Sequence, residues 1–352
     1  MTTQYSEFSR PVKTAIVGYG FSAKTFHIPF LQTLQNFSLS AISSRQAETV
    51  KRDCPEVIHF SSAKEMLCDS DAELVIITAP NDVHFSLAKL ALENNKHVVV
   101  EKPFVTEIAE GEALIALANE KNLTLSVYQN RRWDGDFLSV DKLIKENRLG
   151  KVKVFESHFD RFRPKVQPRW RETANVGGGI LFDLGPHLID QALQLFGLPE
   201  AITATCRAMR ENSENIDFFH LTLHYPDKIV LLQANLFCSG PNIRFRVQGD
   251  VGSYEKMGLD PQESRLKTGL IPDRASWADE DEAEYGFVYD AEQSHRVKTE
   301  RGGYQLYYQE LAEAIRNGGQ APVTAEQALQ GIRLILLAIE SNEKSKTIKV
   351  SD

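Results

Sequence analysis

Val12-Lys13-Thr14-Ala15-Ile16-Val17-Gly18-Tyr19-Gly20-Phe21-Ser22-Ala23 decides how this chain begins to fold. The first half is short, apolar and partly β-branched, which suits a strand, and the two glycines that close it suit a tight turn. Helical apolar spacing follows through Phe30, Leu31 and Leu34, so the opening unit reads strand, turn, helix. Moving outward, Leu39 to Ile42 is a second strand. Leu74 to Ala79 and His97 to Val100 are continuous apolar runs, the signature of strands buried on both faces of a parallel sheet. Helical segments Val83 to Glu93 and Ile108 to Asn119 separate and follow them, and Thr124 to Val127 completes the alternation. Residues 8–130 are therefore expected to form a doubly wound α/β domain.

After Tyr128 the grammar changes. A helix, Phe137 to Glu146, leads into a strand, Val152 to Phe159, and a second helix ends near Phe196. Alternating segments come next: Ala201 to Met209, Phe218 to His224, Ile229 to Phe237 and Arg244 to Tyr254, with a turn at Tyr225-Pro226-Asp227-Lys228. Strands without intervening helices imply an antiparallel sheet, so residues 131–352 are expected to form an α+β domain. Asp273 to Glu284 is acidic and reads as an exposed loop. Amphipathic helices span Tyr304 to Ile315 and Ala325 to Ile339, within a 304–341 segment that is free to pack back on the first domain.

The chain has 352 residues, a 42% hydrophobic fraction and a net charge of −8, which fits two cores and gives no electrostatic footprint for nucleic acid or an anionic membrane. The basic cluster Arg161-Phe162-Arg163-Pro164-Lys165 is local and suits a pocket for a polar ligand. Cys54, Cys68, Cys206 and Cys238 are widely spaced and read as isolated thiols. Met1 to Arg10 is polar, and no apolar run reaches the roughly twenty residues of a membrane span. A cytoplasmic protein is expected.

Gly18-x-Gly20-x-x-Ala23 between a strand and a helix matches the dinucleotide fingerprint, in which glycines let the backbone approach a pyrophosphate at a helix N-terminus. Phe21 and Ser22 lie in that loop. The second strand ends Ser43-Ser44-Arg45, where an NAD site usually carries an acid for the ribose 2′-hydroxyl. Two hydroxyls and a guanidinium suit a 2′-phosphate instead, so NADP(H) is the preferred cofactor and NAD(H) a possible one.

Gly177-Gly178-Gly179-Ile180-Leu181-Phe182-Asp183-Leu184-Gly185-Pro186-His187-Leu188-Ile189-Asp190 carries the chemistry. Residues i and i+4 share a helix face, so Asp183 and His187 point into one cleft. Pro186 removes a helix hydrogen bond and crowds the Phe182 carbonyl, so a kink or break is expected between the two. Asn130 and Arg131 leave the last strand of the first domain, and His158, Asp160 and Phe162 share one face of a later strand. Asn130, Arg131, His158 and Asp160 are the candidate hydroxyl binders. Arg169-Trp170-Arg171 has two readings, a cover for a nicotinamide or buried packing of Trp170.

The motifs Gly18-x-Gly20-x-x-Ala23-x-x-x-His27-x-Pro29, Ala79-Pro80-Asn81-x-x-His84, Glu101-Lys102-Pro103 and the glycine-rich Asp183/His187 stretch resemble the Gfo/Idh/MocA oxidoreductase family in the family order. The resemblance implies a Rossmann domain followed by a domain with a large, open, mostly antiparallel sheet whose outer face makes a homodimer or homotetramer. It implies that Lys102, Asp183 and His187 are catalytic. Pro80, Asn81, His84, Glu101, Lys102 and Trp170 would join the glycine loop around the cofactor. It also makes Lys102-Pro103 a candidate cis peptide. An imidazole titrates in the range needed to take a hydroxyl proton, and an ammonium stabilises a developing alkoxide.

Within the family, Lys24-Thr25-Phe26-His27, Asn130-Arg131-Arg132-Trp133 and His158 to Pro164 are similar to the NADP-type scyllo-inositol 2-dehydrogenase group. The expected substrate is a small polyol or sugar. Alternatives on the same fold are a non-catalytic nucleotide-sensing regulator and an NAD-dependent glycosidase. A metal site at Asp183, His187 and Asp190 lacks an obvious complete ligand set, so no metal is expected.

Overall fold

A computed structural model describes residues 10–167 and 177–351. The chain divides into two compact units. One comprises Met1–Asn130, Gln262–Trp277 and Gly303–Leu329, and the other Arg131–Pro261, Ala278–Gly302 and Gln330–Asp352.

The first unit opens with β1 (Val12–Val17), a π-helical turn (Ala23–His27), α1 (Ile28–Thr33), β2 (Phe37–Ser43), α2 (Ala47–Asp53), β3 (Ile58–Phe60) and α3 (Ala63–Asp69). It continues with β4 (Leu74–Ile77), α4 (His84–Glu93), β5 (His97–Val100), α5 (Ile108–Glu120) and β6 (Leu125–Val127). These strands make one parallel sheet in the order β3-β2-β1-β4-β5-β6. The order turns back between β1 and β4, and ligands of open α/β sheets bind at that switch point. Every side chain of β4 is fully buried, as are Val98, Val99 and Val100 of β5, which is why those runs carry no polar alternation.

The second unit supplies α6 (Gly135–Lys145), β7 (Val152–His158), α7 (Gly179–Phe196), β8 (Ala201–Arg207), β9 (Phe218–His224), β10 (Ile229–Asn235), β11 (Ile243–Gly249) and β12 (Ser253–Met257). After α8 (Gln262–Lys267) come β13 (Gly286–Tyr289), β14 (Ser294–Val297), α9 (Tyr304–Asn317), α10 (Ala325–Lys344) and β15 (Ile348–Lys349). The nine-stranded sheet runs β14-β13-β12-β11-β7-β10-β9-β8-β15. Its pairs are antiparallel except β7 with β10, so the sheet is mixed. Strands β9 and β10 alternate buried and half-buried residues without exception, the pattern of a sheet covered on one face.

Three expectations need correction. Arg244 to Tyr254 is not one strand but the hairpin β11–β12, because Asp250-Val251-Gly252 turns the chain and Gly249 N–H donates to the Gly252 carbonyl at 2.8 Å. The helix α7 does not break at Pro186: it runs helical from Gly179 to Phe196, its apolar face buried from Ile180 through Ala192. That burial outweighs one missing backbone donor. Asp273–Glu284 is not wholly exposed. Trp277 is buried among rings of its own unit, 5.8 Å from Phe30 and 6.3 Å from Tyr304, and its indole N–H donates to Gln305 Oε1 at 3.2 Å.

Candidate active site

In the first unit the turn after β1 is built for close backbone approach. Gly18 has φ +99°, and a Cβ there would stand 2.7 Å from Thr78 Oγ1. A Cβ at Gly20 would meet nothing within 4 Å, so this face of the loop is open to a ligand. Phe21 is exposed and meets Phe26 edge-on at 5.7 Å, whereas Ala23 is buried. At the end of β2, Ser43 is buried, the Ser44 hydroxyl accepts the Gln46 N–H at 3.0 Å, and Arg45 is exposed. An open glycine turn with hydroxyls and a guanidinium at the neighbouring strand tip fits a dinucleotide, and no carboxylate of Ser43-Ser44-Arg45 stands against a 2′-phosphate.

Behind this surface the unit is tightly tied. His84, almost fully buried, faces the Pro103 carbonyl with Nδ1 at 2.9 Å and the Ala79 carbonyl with Nε2 at 3.0 Å. It therefore clasps the segment after β4, with Pro80 and Asn81, to the segment after β5. The Lys102–Pro103 peptide is cis. Glu101 Oε2 accepts the Lys102 N–H at 3.1 Å, while Oε1 accepts from His27 Nε2 at 3.0 Å and from the Ser22 hydroxyl. Burial pushes the Glu101 carboxyl up, but the bond and charge of His27, with Ser22 and the Lys102 charge, hold it down at about 2. Trp170 lies outside the described residues.

In the second unit α7 presents the acid and the imidazole. Asp183 Oδ2 lies 3.6 Å from Arg161 Nη1, and His187, one turn on, is 6% exposed. Asp190 is held by Arg132 through two bonds, Nε at 2.8 Å and Nη2 at 2.7 Å. Both oxygens of that carboxylate are thus engaged by a cation, which unfits it as a metal ligand. Gln191 donates to the Arg131 carbonyl at 2.8 Å and accepts from Arg244 Nη2 at 2.7 Å. Arg244, wholly buried, also donates to Ser157 Oγ at 2.7 Å and faces Asp136 at 3.3 Å. Burial lowers its pKa against the raising charge of Asp136. Around the Phe159 ring the guanidinium carbons of Arg131, Arg161 and Arg244 stand at 4.7, 5.0 and 5.8 Å.

Residues 12–129 match the description "Oxidoreductase family, NAD-binding Rossmann fold" and residues 141–350 match "Oxidoreductase family, C-terminal alpha/beta domain", the two parts of Gfo/Idh/MocA proteins. The chain belongs to the Gfo/Idh/MocA oxidoreductase family. It is 41% identical over 344 residues, 96% of this chain and 95% of the relative, to the scyllo-inositol 2-dehydrogenase (NADP(+)) IolW of Bacillus subtilis. It is 42% identical over 341 residues, 96% of this chain and 98% of the relative, to the uncharacterized oxidoreductase YdgJ of Escherichia coli. Among solved structures, the oxidoreductase yvaA of Bacillus subtilis matches with TM-score 0.95 and 38% identity over 98% of this chain and 100% of that one.

For a Gfo/Idh/MocA chain, the strand β7 distributes its residues in a way the sequence left open. Phe155 meets Phe196 of α7 at 5.3 Å, Ser157 reaches Arg244, and Arg161 reaches Asp183, so this parity faces α7. Glu156, His158 and Asp160 take the other parity. His158 stands 3.5 Å from both Glu156 and Asp160, and Asp160 accepts from Asn235 N and Nδ2 at 3.0 and 2.7 Å. His158 and Asp160 thus pair with each other, with Glu156 and with Asn235, and a substrate role for them is carried as a proposal. Arg131 remains on the helix side through Phe159 and Gln191. Asn130, in the first unit, is buried at the start of a short helical turn, Asn130–Trp133. Arg161, read in the sequence only as part of a basic cluster suited to a polar ligand, is the member of that cluster that stands against Asp183. Its signal was its odd-numbered parity with Phe155 and Phe159.

Proposed function

We propose that this oxidoreductase is an NADP(H)-dependent dehydrogenase that interconverts a secondary ring alcohol of a polyol and its ketone, with scyllo-inositol as first substrate. The similarity over nearly the whole chain to an enzyme named for that reaction and that cofactor carries the reading. The Ser43-Ser44-Arg45 strand tip supports NADP(H). Asp183 and His187 of α7, with Arg161 standing against Asp183, support a ligand of many neutral hydroxyls, because each hydroxyl donates and accepts.

A nicotinamide cofactor held at the Gly18-to-Ala23 loop would supply or take the hydride. His187 removes the hydroxyl proton during oxidation and returns it during reduction, Asp183 orients the imidazole or a neighbouring hydroxyl, and Lys102 stabilises charge on the reacting oxygen. Arg161, against Asp183, keeps that carboxylate aimed. Residues 8–130 bind the cofactor and residues 131–352 the substrate. A cytoplasmic homodimer or homotetramer joined through the outer face of the nine-stranded sheet completes the proposal.

The test is a panel of inositols, aldoses and their ketones with NADP(H) and NAD(H), followed at the reduced nicotinamide band. Turnover of scyllo-inositol with NADP⁺, or of its inosose with NADPH, supports the reading. Turnover only of phosphorylated or non-polyol substrates overturns the substrate, and no reduction of any ketone overturns the dehydrogenase.

A further inference from the structure

Side chains alternate along a strand, and Arg244 breaks that alternation in β11. In the β11–β12 ladder Ile243 faces Met257 and Phe245 faces Lys256, so Arg244 is an extra residue opposite none of β12. This bulge leaves Arg244 and Phe245, neighbours in the chain, both wholly buried. The guanidinium carbon lies 4.0 Å from the centre of the Phe245 ring. A buried charge is costly, and an apolar side chain would serve packing as well or better. The bulge and the charge together point to a role that only a guanidinium fills.

Its partners define that role. Nη2 donates to Gln191 Oε1 and Nη1 to Ser157 Oγ, both at 2.7 Å. Gln191 Nε2 in turn donates to the Arg131 carbonyl at 2.8 Å. A guanidinium only donates and a carbonyl only accepts, so the Gln191 amide fits in one orientation alone. Asp136 Oδ2 stands 3.3 Å from Nε, yet neither oxygen of Asp136 has a hydrogen-bond partner among the described residues. Asp136 therefore supplies countercharge, while Gln191 and Ser157 supply direction. Gln191 lies one turn past His187 on α7, and residues i and i+4 share a helix face. Pro186, between Asp183 and His187, has no N–H to give the Phe182 carbonyl, so this turn of α7 lacks one of its backbone bonds. The tie at Gln191 fixes the helix beside the turn that its own backbone holds least.

We propose that Arg244 is a positioning residue for His187, acting through the Gln191 amide, with Asp136 as its buried counter-ion. The same amide holds the backbone of Arg131, so one guanidinium sets both the imidazole and the turn that carries a candidate hydroxyl binder. The proposal rests on the dehydrogenase reading for what His187 does, but not for how its helix is held.

Three full-length variants test it: Gln191→Met, the pair Arg244→Met with Asp136→Leu, and all three changes together. The pair removes both buried charges at once, and such replacements are often near neutral for stability. Gln191→Met and the pair are each expected to lower kcat for ketone reduction at least about tenfold, with KM for NADPH within about threefold of wild type. Because Arg244 acts through Gln191, the triple variant should fall no more than about twofold below the slower of the two. An unchanged kcat in either, or losses that multiply in the triple variant, overturns the proposal. A second readout needs no substrate: the His187 ring in protein labelled with ¹³C at histidine Cε1, assigned by its loss in His187→Gln. Its resonance is expected to shift in Gln191→Met and in the pair, and an unmoved resonance overturns the positioning role. If the pair does not fold, Gln191→Met carries both readouts. A wild type without dehydrogenase activity whose His187 resonance still responds to Gln191→Met would count against the proposed function alone.

Discussion

The Arg132 guanidinium grips the Asp190 carboxylate with two parallel hydrogen bonds of 2.8 and 2.7 Å, and both side chains are at least nine-tenths buried. This fork pins α7 one turn beyond His187. Removing one partner leaves a buried charge uncompensated, so Asp190→Ala is expected to cost about 3–5 kcal/mol. Arg132→Met with Asp190→Leu should recover much of that loss, since a buried pair replaced by apolar groups is often near neutral. Urea unfolding of the singles and the double checks it. A cost for Asp190→Ala below about 1 kcal/mol would mean the pair is solvated.

Catalytic substitutions should separate chemistry from cofactor binding. Lys102→Ala, Asp183→Asn and His187→Ala are each expected to lower kcat about a hundred- to ten-thousandfold, the usual worth of general acid/base groups. NADPH affinity, read by fluorescence titration, should barely change in Asp183→Asn and His187→Ala. Near-normal kcat in His187→Ala would mean that another group moves the proton.

Arg161 should behave differently from those three. It stacks on Phe159 and faces Asp183 at 3.6 Å, so Arg161→Met removes charge but keeps the stem that packs. The expected outcome is a rise in KM for the accepted substrate of roughly tenfold with a smaller fall in kcat, the scale of a charged hydrogen bond. Steady-state kinetics on the accepted substrate decides between this and a purely structural role.

The parallel sheet was legible because periodicity carries it: continuous apolar runs at β4 and β5 and glycines at Gly18 and Gly20 leave few alternatives. The segments α2, β3 and α3 were not foreseen, because they are short, α2 is largely polar and β3 is a three-residue edge strand. Asp183 and His187 were legible as a spaced pair, and burial of α7 explains why Pro186 does not break it. The face that His158 and Asp160 take was not legible, because a period of two says which residues share a face, never which face the helix covers. Arg244 was invisible as a site feature. Its partners Asp136, Ser157 and Gln191 come from three distant segments, and only long-range packing brings them to one buried guanidinium.

Cofactor choice should turn on the tip of β2. Ser44→Asp with Arg45→Ala places a carboxylate where a 2′-phosphate would lie and removes the exposed cation. NADPH binding is expected to weaken by about 1.5–3 kcal/mol, the scale of charged hydrogen bonds, with relative NAD use rising. Isothermal titration with both cofactors measures it. A wild type that prefers NAD, or an unchanged ratio in the double variant, removes Ser43, Ser44 and Arg45 from the cofactor assignment.

Acid stability should depend on Glu73, which ties α9 to the start of the chain. Arg316 holds it through 2.8 and 3.1 Å contacts while also donating to the Pro11 carbonyl at 2.9 Å, and Arg10 adds a 2.7 Å contact. The Arg316 bonds, working against partial burial, lower the Glu73 carboxyl from 4.5 to about 2. A carboxyl depressed in the folded state stabilises the fold above its unfolded value, and the contribution fades as pH falls from 4.5 toward 2. Glu73→Gln should therefore destabilise the protein at pH 7, by no more than about 1 kcal/mol because the pair is partly solvated and screened. The gap between wild type and variant should close below pH 4.5 and vanish near pH 2, if the fold persists there. Thermal unfolding of both proteins from pH 7 down to pH 3 measures the gap, and a difference that widens on acidification would reverse the sign argued here.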